Sequence, residues 1–249
     1  HEVLVRREGS LLTLRYRLEH QRGMNEYGQA FDRYGVGVRH WSPTVRHAAD
    51  HRFWHPIPGR PERLISSVGM LRRDYNTLID AVRGLDVSLV VAAFSPWVNS
   101  NKKGAPVTVP DNVRFTRLTP VQLRDLYARS LFVAVPLQNS SSQAGSLVGY
   151  EAMAIGKPVV VTRSAGEEAL GLVKDSETGY YVRLGDVAGW HRTIQHLLDQ
   201  PQEAALMGQR ARALAEQGLN MESYVQQMVS IVYSVGGETN RAGAPSGAP

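Results

Sequence analysis

The chain contains no cysteine among its 249 residues. This absence excludes disulfide bonds, a thiolate nucleophile, and zinc or iron–sulfur centres held by cysteine. Long apolar runs are also missing, because the longest, Val87 to Val98, has 12 residues and is too short to cross a bilayer as a helix. The sequence has neither a Walker loop nor a G-x-G-x-x-G motif, which argues against P-loop enzymes and dinucleotide dehydrogenases.

The positive charge is concentrated near the start of the chain. Residues 1–60 hold ten arginines and six acids, together with six of the eight histidines. The basic residues form no compact run, so we predict no nucleic-acid partner. The basic residues could instead face phosphate-bearing substrates or an anionic membrane surface. We therefore expect a cytoplasmic protein, with peripheral contact to the inner face of the membrane as an open alternative. The histidines show no repeated metal-ligand spacing, and we expect no metal site.

The two ends of the chain differ in pattern from its middle. Leu11, Leu14 and Leu18 recur at helical spacing and predict a helix over residues 11–34. Residues 236–249 consist mostly of glycine, alanine, proline and serine, a composition typical of a flexible tail.

A proline-rich stretch, with Pro56, Pro58 and Pro61 within six residues, predicts the boundary between a linker and the main domain. We place the main domain at residues 61–235 and interpret residues 1–60 as an interdomain linker with the remnant of an N-terminal domain. The aromatic residues Trp41, Phe53 and Trp54 are expected to pack between domains rather than to stack on a nucleobase.

From residue 63 onward, short apolar runs alternate with helical patterns, as in βαβ units. The predicted strands cover residues 64–68, 87–93, 113–115, 131–135, 159–162 and 180–182. The predicted helices cover residues 76–82, 119–130, 147–155, 187–198, 202–217 and 222–233. The sequence therefore predicts an α/β fold with a Rossmann-like parallel sheet flanked by helices, which binds ligands beyond the carboxyl ends of its strands.

The segment from Leu131 to Thr162 carries the most chemical information. It reads as a buried strand, an uncharged polar loop over residues 138–145, a helix that begins near Ser146, and a second buried strand. The first N–H groups of that helix and its dipole favour an anion such as phosphate at the end of the loop.

Glu151 lies in the middle of this predicted helix, among apolar residues. A carboxylate in such surroundings needs a partner. The residue types allow two interpretations: a solvated side chain on the open face of the helix, or an acceptor for two adjacent hydroxyls, as a ribose presents them.

Residues 147–160, with the pattern L-x-x-Y-E-A-M-A-x-G-x-P-V-V, closely resemble the donor-site signature of family-4 glycosyltransferases. Three more segments match in the expected order: S-V-G-M-L-R-R-D-Y at 67–75, N-V-R-F at 112–115 and D-S-E-T-G-Y-Y-V at 175–182. The resemblance covers roughly residues 36–233. It implies the C-terminal, donor-binding half of a GT-B fold, in a retaining enzyme that uses a nucleotide-diphosphate sugar.

The resemblance also implies roles for individual residues. Glu151 would hold the nucleotide ribose, and Gln143, where the family has a glutamate, would face the donor sugar. Gln143 keeps an acceptor but carries no charge, which leaves the donor sugar open. In the first loop, the family's arginine after Gly69 and its later lysine are replaced by Met70 and, approximately, Tyr75.

Arg72 and Arg73 stand between these two replaced positions. We predict that at least one of them neutralises the departing diphosphate, for which arginine offers a bidentate fork. The alternative is a surface pair, since two adjacent arginines cannot easily both point inward. We take Arg72, Glu151 and Gln143 as catalytic. The predicted donor-binding residues are Gly69, Arg72, Arg73, Gly145, Ser146, Leu147, Val148 and Glu151.

The sequence thus predicts a retaining glycosyltransferase that moves a sugar from a nucleotide-diphosphate sugar to an acceptor it does not identify. Neither a cofactor nor a metal is expected. The alternative is a non-catalytic nucleotide-sugar or protein-binding module of the same fold, which the departures at Met70, Tyr75 and Gln143 would favour. Residues 1–60 are too short for a full acceptor domain, so we expect acceptor-binding groups to come from an N-terminal domain outside this chain.

Overall fold

The computed structural model describes residues 2–8, 11–17, 48–59, 61–93, 109–139, 145–163 and 172–241. The strands among them are β1 (Glu2–Glu8), β2 (Leu11–Arg17), β3 (Leu64–Val68), β4 (Ser88–Ala92), β5 (Val113–Phe115), β6 (Phe132–Val135), β7 (Val159–Thr162) and β8 (Gly179–Val182). The helices are α1 (Tyr75–Ala81), α2 (Pro120–Arg129), α3 (Ser146–Ala154), α4 (Val187–Asp199), α5 (Pro201–Gly218) and α6 (Met221–Arg241).

The contacts within the chain divide it into two compact units. The first combines His1–Arg46 with Glu222–Pro249, and the second is His47–Met221. The second unit holds the sheet and its helices. It begins at His47, whereas the proline-rich stretch suggested a domain start at residue 61.

The first unit begins with an antiparallel hairpin, in which β1 pairs with β2 from Glu2 opposite Arg17 to Glu8 opposite Leu11. The helix predicted over residues 11–34 is therefore wrong for Leu11–Arg17. Apolar residues in this stretch also alternate with a period of two, which is typical of a strand. Residues 18–34 lie outside the described part of the chain.

Helix α6 continues to Arg241, so residues 236–241 are helical where the composition predicted a tail. The remaining residues of that predicted tail are not among those described. Within the described part of the chain, no helix has both the length and the apolar character needed to cross a membrane. The predicted cytoplasmic location and membrane contact stay predictions.

The second unit is built on a six-stranded parallel sheet with the order β5-β4-β3-β6-β7-β8. The α/β prediction is thus confirmed. Strands β4, β6 and β7 are near-continuous apolar runs, as expected where helices cover both faces of a sheet. The core on one face includes Ile65, Phe132 and Val160 of the strands with Leu78 of α1 and Trp190 of α4. The core on the other face includes Val133 and Val161 with Tyr127 of α2, Met153 of α3 and Ala211 of α5.

The segment that precedes the sheet packs into the second core. Trp54 is buried there, and its ring lies 5.6 Å from that of Tyr127. The prediction that Trp54 packs between domains is therefore wrong, because its neighbours belong to the same unit. Phe53 packs against the same core, and Trp41 lies outside the described residues.

The strand order reverses between β3 and β6. The chain adds β4 and β5 on one side of β3, and then places β6, β7 and β8 on the other. Crevices at such a switch point, beyond the carboxyl ends of the strands, are the usual ligand sites of open α/β sheets. The loops that leave β3 and β6 are therefore where a site is expected.

Helix α5 approaches the end of α3 closely at a glycine. A Cβ atom on Gly208 would lie 2.1 Å from the carbonyl oxygen of Gly156, whereas one on Gly218, in the same helix, would meet nothing within 4 Å. We expect Gly208→Ala to lower the free energy of unfolding by about 1–3 kcal/mol through overpacking. Gly218→Ala should leave it unchanged or raise it by up to about 1 kcal/mol, because alanine is the better helix former. Chemical denaturation of both variants tests this, and equal midpoints would contradict it.

Candidate functional site

The chain leaves β3 through a tight loop that pairs with the loop after β6. Arg73 and Leu137 form an isolated antiparallel bridge. On either side of it, the Asp74 N–H donates to the Pro136 carbonyl at 3.1 Å and the Gln138 N–H donates to the Arg72 carbonyl at 2.9 Å. This short ladder fixes the crevice between β3 and β6.

Arg72 and Arg73 point in different directions. Arg72 has a φ of +53°, a left-handed conformation that costs a non-glycine residue free energy, and its side chain is exposed. Arg73 is only 9% exposed. The left-handed backbone at Arg72 thus goes with an inward side chain at Arg73. This agrees with the expectation that two adjacent arginines cannot easily both point inward.

The Arg73 guanidinium is held by backbone carbonyls. Its Nε donates to the Val68 carbonyl at 3.0 Å and its Nη1 to the Leu71 carbonyl at 2.9 Å. Burial lowers the pKa of Arg73, but an arginine keeps its charge in a protein. Among the described residues no carboxylate forms an ion pair with it, so a nearly buried cation stands there without a counter-charge.

Two glycines leave room for this cation. Gly69 follows β3 with a φ of +105°, and a Cβ there would lie 2.6 Å from Arg73 Nη2. Gly145 precedes α3 with a φ of +94°, and a Cβ there would lie 2.6 Å from Val135 Cγ1 and 3.4 Å from Arg73 Nη2. Arg73 Nη2 therefore lies between the end of β3 and the start of α3.

The N-terminus of α3 has no side-chain cap. Gly145 is the N-cap residue, and the first bond of the helix runs from the Gly149 N–H to its carbonyl at 3.1 Å. The N–H groups of Ser146, Leu147 and Val148 precede that bond and are free of helix partners by geometry. The side chains of Ser146 and Val148 are buried and that of Leu147 is exposed, so these residues can offer a ligand mainly their backbone donors.

Glu151 is partly buried on the same helix rather than solvated on an open face. Its Oε2 accepts a hydrogen bond of 3.4 Å from the hydroxyl of Tyr127, which is wholly buried on α2. Burial raises the pKa of Glu151 to about 7, and the bond from Tyr127 acts in the opposite direction. This carboxyl group therefore changes its protonation state near neutral pH.

Tyr75 and Tyr127 complete the site, and sequence reasoning missed both as functional side chains. The Tyr75 hydroxyl donates to the Gly69 carbonyl, and burial raises its pKa to about 12. In the sequence, Tyr127 shares a helical spacing with Leu123 and Leu126, which is typical of a core face and gives no sign of a carboxylate partner.

The structure thus brings Gly69, Arg73, the start of α3 and Glu151 to one end of the sheet. Arg72 lies beside them but faces solvent, and its catalytic role stays a prediction. Gln143 lies outside the described residues. Within the described part of the chain, no group of three or more histidine, aspartate or glutamate side chains could hold a metal ion. An anion that also carries hydroxyl groups matches this arrangement of a cation, free N–H donors and a carboxylate.

Curated relatives match part of the chain. The D-inositol 3-phosphate glycosyltransferase of Gordonia bronchialis is 38% identical over 98 residues, which cover 39% of this chain and 20% of that protein. A protein of the same name from a Mycobacterium species is 34% identical over 140 residues, which cover 49% of this chain and 31% of that protein. The chain therefore spans less than a third of these two relatives.

Solved structures share the fold. The sucrose-phosphate synthase of Thermosynechococcus elongatus superposes with a TM-score of 0.67 at 20% identity, over 85% of this chain and 57% of that one. HepE of Anabaena, solved with UDP-glucose, superposes with a TM-score of 0.61 at 18% identity, over 75% of this chain and 56% of that one. The second unit accordingly has the Rossmann-like fold found in GT-B glycosyltransferases.

The sequence profile of the family "Glycosyl transferases group 1" matches residues 62–200, which include the whole crevice described above and more than half of the chain. This chain belongs to the group 1 glycosyl transferase family.

Proposed function

We propose that this chain supplies the donor site of a retaining glycosyltransferase that uses a nucleotide-diphosphate sugar. One observation carries the proposal: the nearly buried Arg73 guanidinium, which has no carboxylate partner among the described residues, stands next to the N-terminus of α3, which has no side-chain cap. A helix N-terminus carries a positive partial charge, so a cation beside it is unfavourable unless an anion binds both. A diphosphate meets that need.

The remaining groups fit the rest of a nucleotide. In this proposal the two ribose hydroxyls donate to the Glu151 carboxylate, one and a half turns along α3 from the diphosphate. The N–H groups at the start of α3 and the Arg73 fork then neutralise the charge that develops on the diphosphate as the glycosidic bond breaks. The chain's own contribution to catalysis is thus the stabilisation of the leaving group.

The donor base and the acceptor are less constrained. The HepE structure contains UDP-glucose, which makes a uridine nucleotide the first donor to test. The curated relatives act on an inositol phosphate by their names, and a phosphorylated polyol is accordingly the first acceptor class to test.

Retention of the anomeric configuration rests on the family resemblance. An NMR assignment of the product of the full-length protein tests it, and an inverted product would refute it.

Replacement of Glu151 should weaken nucleotide binding. We expect Glu151→Ala to lose about 1.5–3 kcal/mol, or ten- to a hundredfold in affinity, because two ribose hydroxyls lose their acceptor. Calorimetric titration of the chain with UDP, GDP and ADP measures this loss and identifies the base. Glu177→Ala, at an exposed glutamate before β8, is the matched control and should bind like the wild type. Unchanged affinity in a folded Glu151→Ala variant would contradict the ribose role.

The two adjacent arginines give a direct comparison. Arg73→Gln should weaken binding of the diphosphate about ten- to a hundredfold, because a charge-assisted pair is lost from a nearly buried position. Arg72→Gln, at the exposed neighbour, should cost less than about threefold, since solvent screens its charge. The same calorimetric titration separates the two variants. The reverse order of effects would assign the diphosphate to Arg72 instead.

We further propose that donor binding needs no resident metal, because Arg73 and the N–H groups of α3 supply the positive charge that a cation would otherwise provide. Binding of UDP should change by less than about twofold when EDTA replaces Mg²⁺ in the buffer. A loss of affinity in EDTA that Mn²⁺ or Mg²⁺ restores would show that the site uses a metal.

A further inference from the structure

Among the described residues, Tyr127 makes one polar contact, and it is with Glu151, the residue to which we assign the ribose. Its hydroxyl donates to Glu151 Oε2 at 3.4 Å, and no other hydrogen bond of this hydroxyl occurs within the described residues. The side chain is completely buried. A buried hydroxyl that lost its partner would pay a desolvation cost, so this bond ties α2 to the carboxylate on α3.

The tyrosine ring is fixed by its surroundings. Trp54 packs against it at 5.6 Å between ring centroids, and both rings belong to the core on the α2, α3 and α5 face of the sheet. A capping box at Thr119 and Gln122 fixes the start of α2. The hydroxyl therefore has a set position, and a donor in a set position restricts the rotation of the carboxylate that accepts from it.

The charged and titratable groups around Glu151 form a short series. Within the described chain, Tyr127 is the group that acts on Glu151, and Arg73 and Tyr75 act in turn on Tyr127. Arg73, proposed to bind the diphosphate, and Glu151, proposed to bind the ribose, thus both interact electrostatically with the same buried hydroxyl.

We propose that Tyr127 is a positioning residue, which holds Oε2 of Glu151 so that Oε1 and the remaining lone pairs face the two ribose hydroxyls of the donor. This inference rests on the proposed function of Glu151 as the ribose acceptor. The Tyr127 hydroxyl also favours the ionised form of the carboxyl group, because a donor stabilises the charged acceptor. Tyr127 itself touches no substrate.

The test uses a ligand pair that differs only at the ribose. UDP and 2′,3′-dideoxy-UDP are titrated into the wild type, Tyr127→Phe and Tyr180→Phe across about pH 5.5 to 9. The ratio of the two affinities cancels the titration of the diphosphate, which both ligands share. Tyr180→Phe is the matched control. The Tyr180 hydroxyl also donates to a glutamate, Glu203, but Tyr180 lies on the edge strand β8, outside the proposed donor site.

In the wild type, UDP should bind about ten- to a hundredfold more tightly than its dideoxy analogue above neutral pH. This preference should fade as the pH falls through about 7, because a protonated Glu151 loses acceptor capacity. In Tyr127→Phe the preference should fall by about three- to tenfold and its pH midpoint should move upward, because the bond that opposed protonation is gone. Tyr180→Phe should match the wild type in both respects.

A purely structural role for Tyr127 would lower the stability without moving the pH midpoint. A second variant, Tyr127→3-fluorotyrosine, keeps the test valid if Tyr127→Phe fails to fold. It retains the ring and makes the hydroxyl a stronger donor. It should move the midpoint downward. An unmoved midpoint in both variants, with the wild-type preference intact, would overturn the positioning role alone. Equal binding of the two ligands by the wild type would overturn the ribose role of Glu151 and this inference with it.

Discussion

The carboxyl end of the sheet is arranged around one buried cation. Arg73 Nε and Nη1 bind the carbonyls of Val68 and Leu71, and its Nη2 fills the space that Gly69 and Gly145 leave open. The backbone just after β3 and just before α3 therefore surrounds this guanidinium. A guanidinium in that position is costly without a counter-charge, and this cost is why the crevice is suited to an anion.

Helix α3 begins beside Arg73 and ends beside a second arginine, Arg212. At its far end, Arg212 of α5 donates from Nη1 to the Ala154 carbonyl and to the carbonyls of His51 and Trp54 at 3.0 Å each. A cation at a helix C-terminus is favourable, whereas the one at the N-terminus is not until an anion arrives. The close approach of Gly208 to Gly156 and of Gly149 to Leu172 fixes the helix between these two ends. Glu151 is therefore presented from a rigid element.

Much of this arrangement follows from local sequence. The runs that form β6 and β7 are apolar at every position except Thr162, which is typical of strands buried on both faces, and their predicted bounds agree with the structure within a residue. The hairpin was mispredicted because Leu11, Leu14 and Leu18 have helical spacing, while the period-two alternation of Leu12, Leu14 and Tyr16 runs through the same stretch.

The side-chain geometry of the site depends on contacts between distant parts of the chain. The inward orientation of Arg73 goes together with the left-handed backbone at Arg72 and the bridge between Arg73 and Leu137, so sequence alone could not distinguish Arg72 from Arg73. The partner of Glu151 could not be predicted either, because Tyr127 lies on another helix in a pattern that equally suits the core. The start of α3 near Ser146 was predictable, because the change from an uncharged polar loop to a helical pattern lies in neighbouring residues.

The most direct test of the donor site is a crystal structure of this chain with UDP bound. The diphosphate should contact the Arg73 guanidinium and the N–H groups of Ser146 and Leu147, with both ribose hydroxyls within hydrogen-bond distance of the Glu151 carboxylate. A nucleotide bound elsewhere on the chain, or one that leaves Arg73 and Glu151 without contact, would contradict the claim that these groups form one donor site.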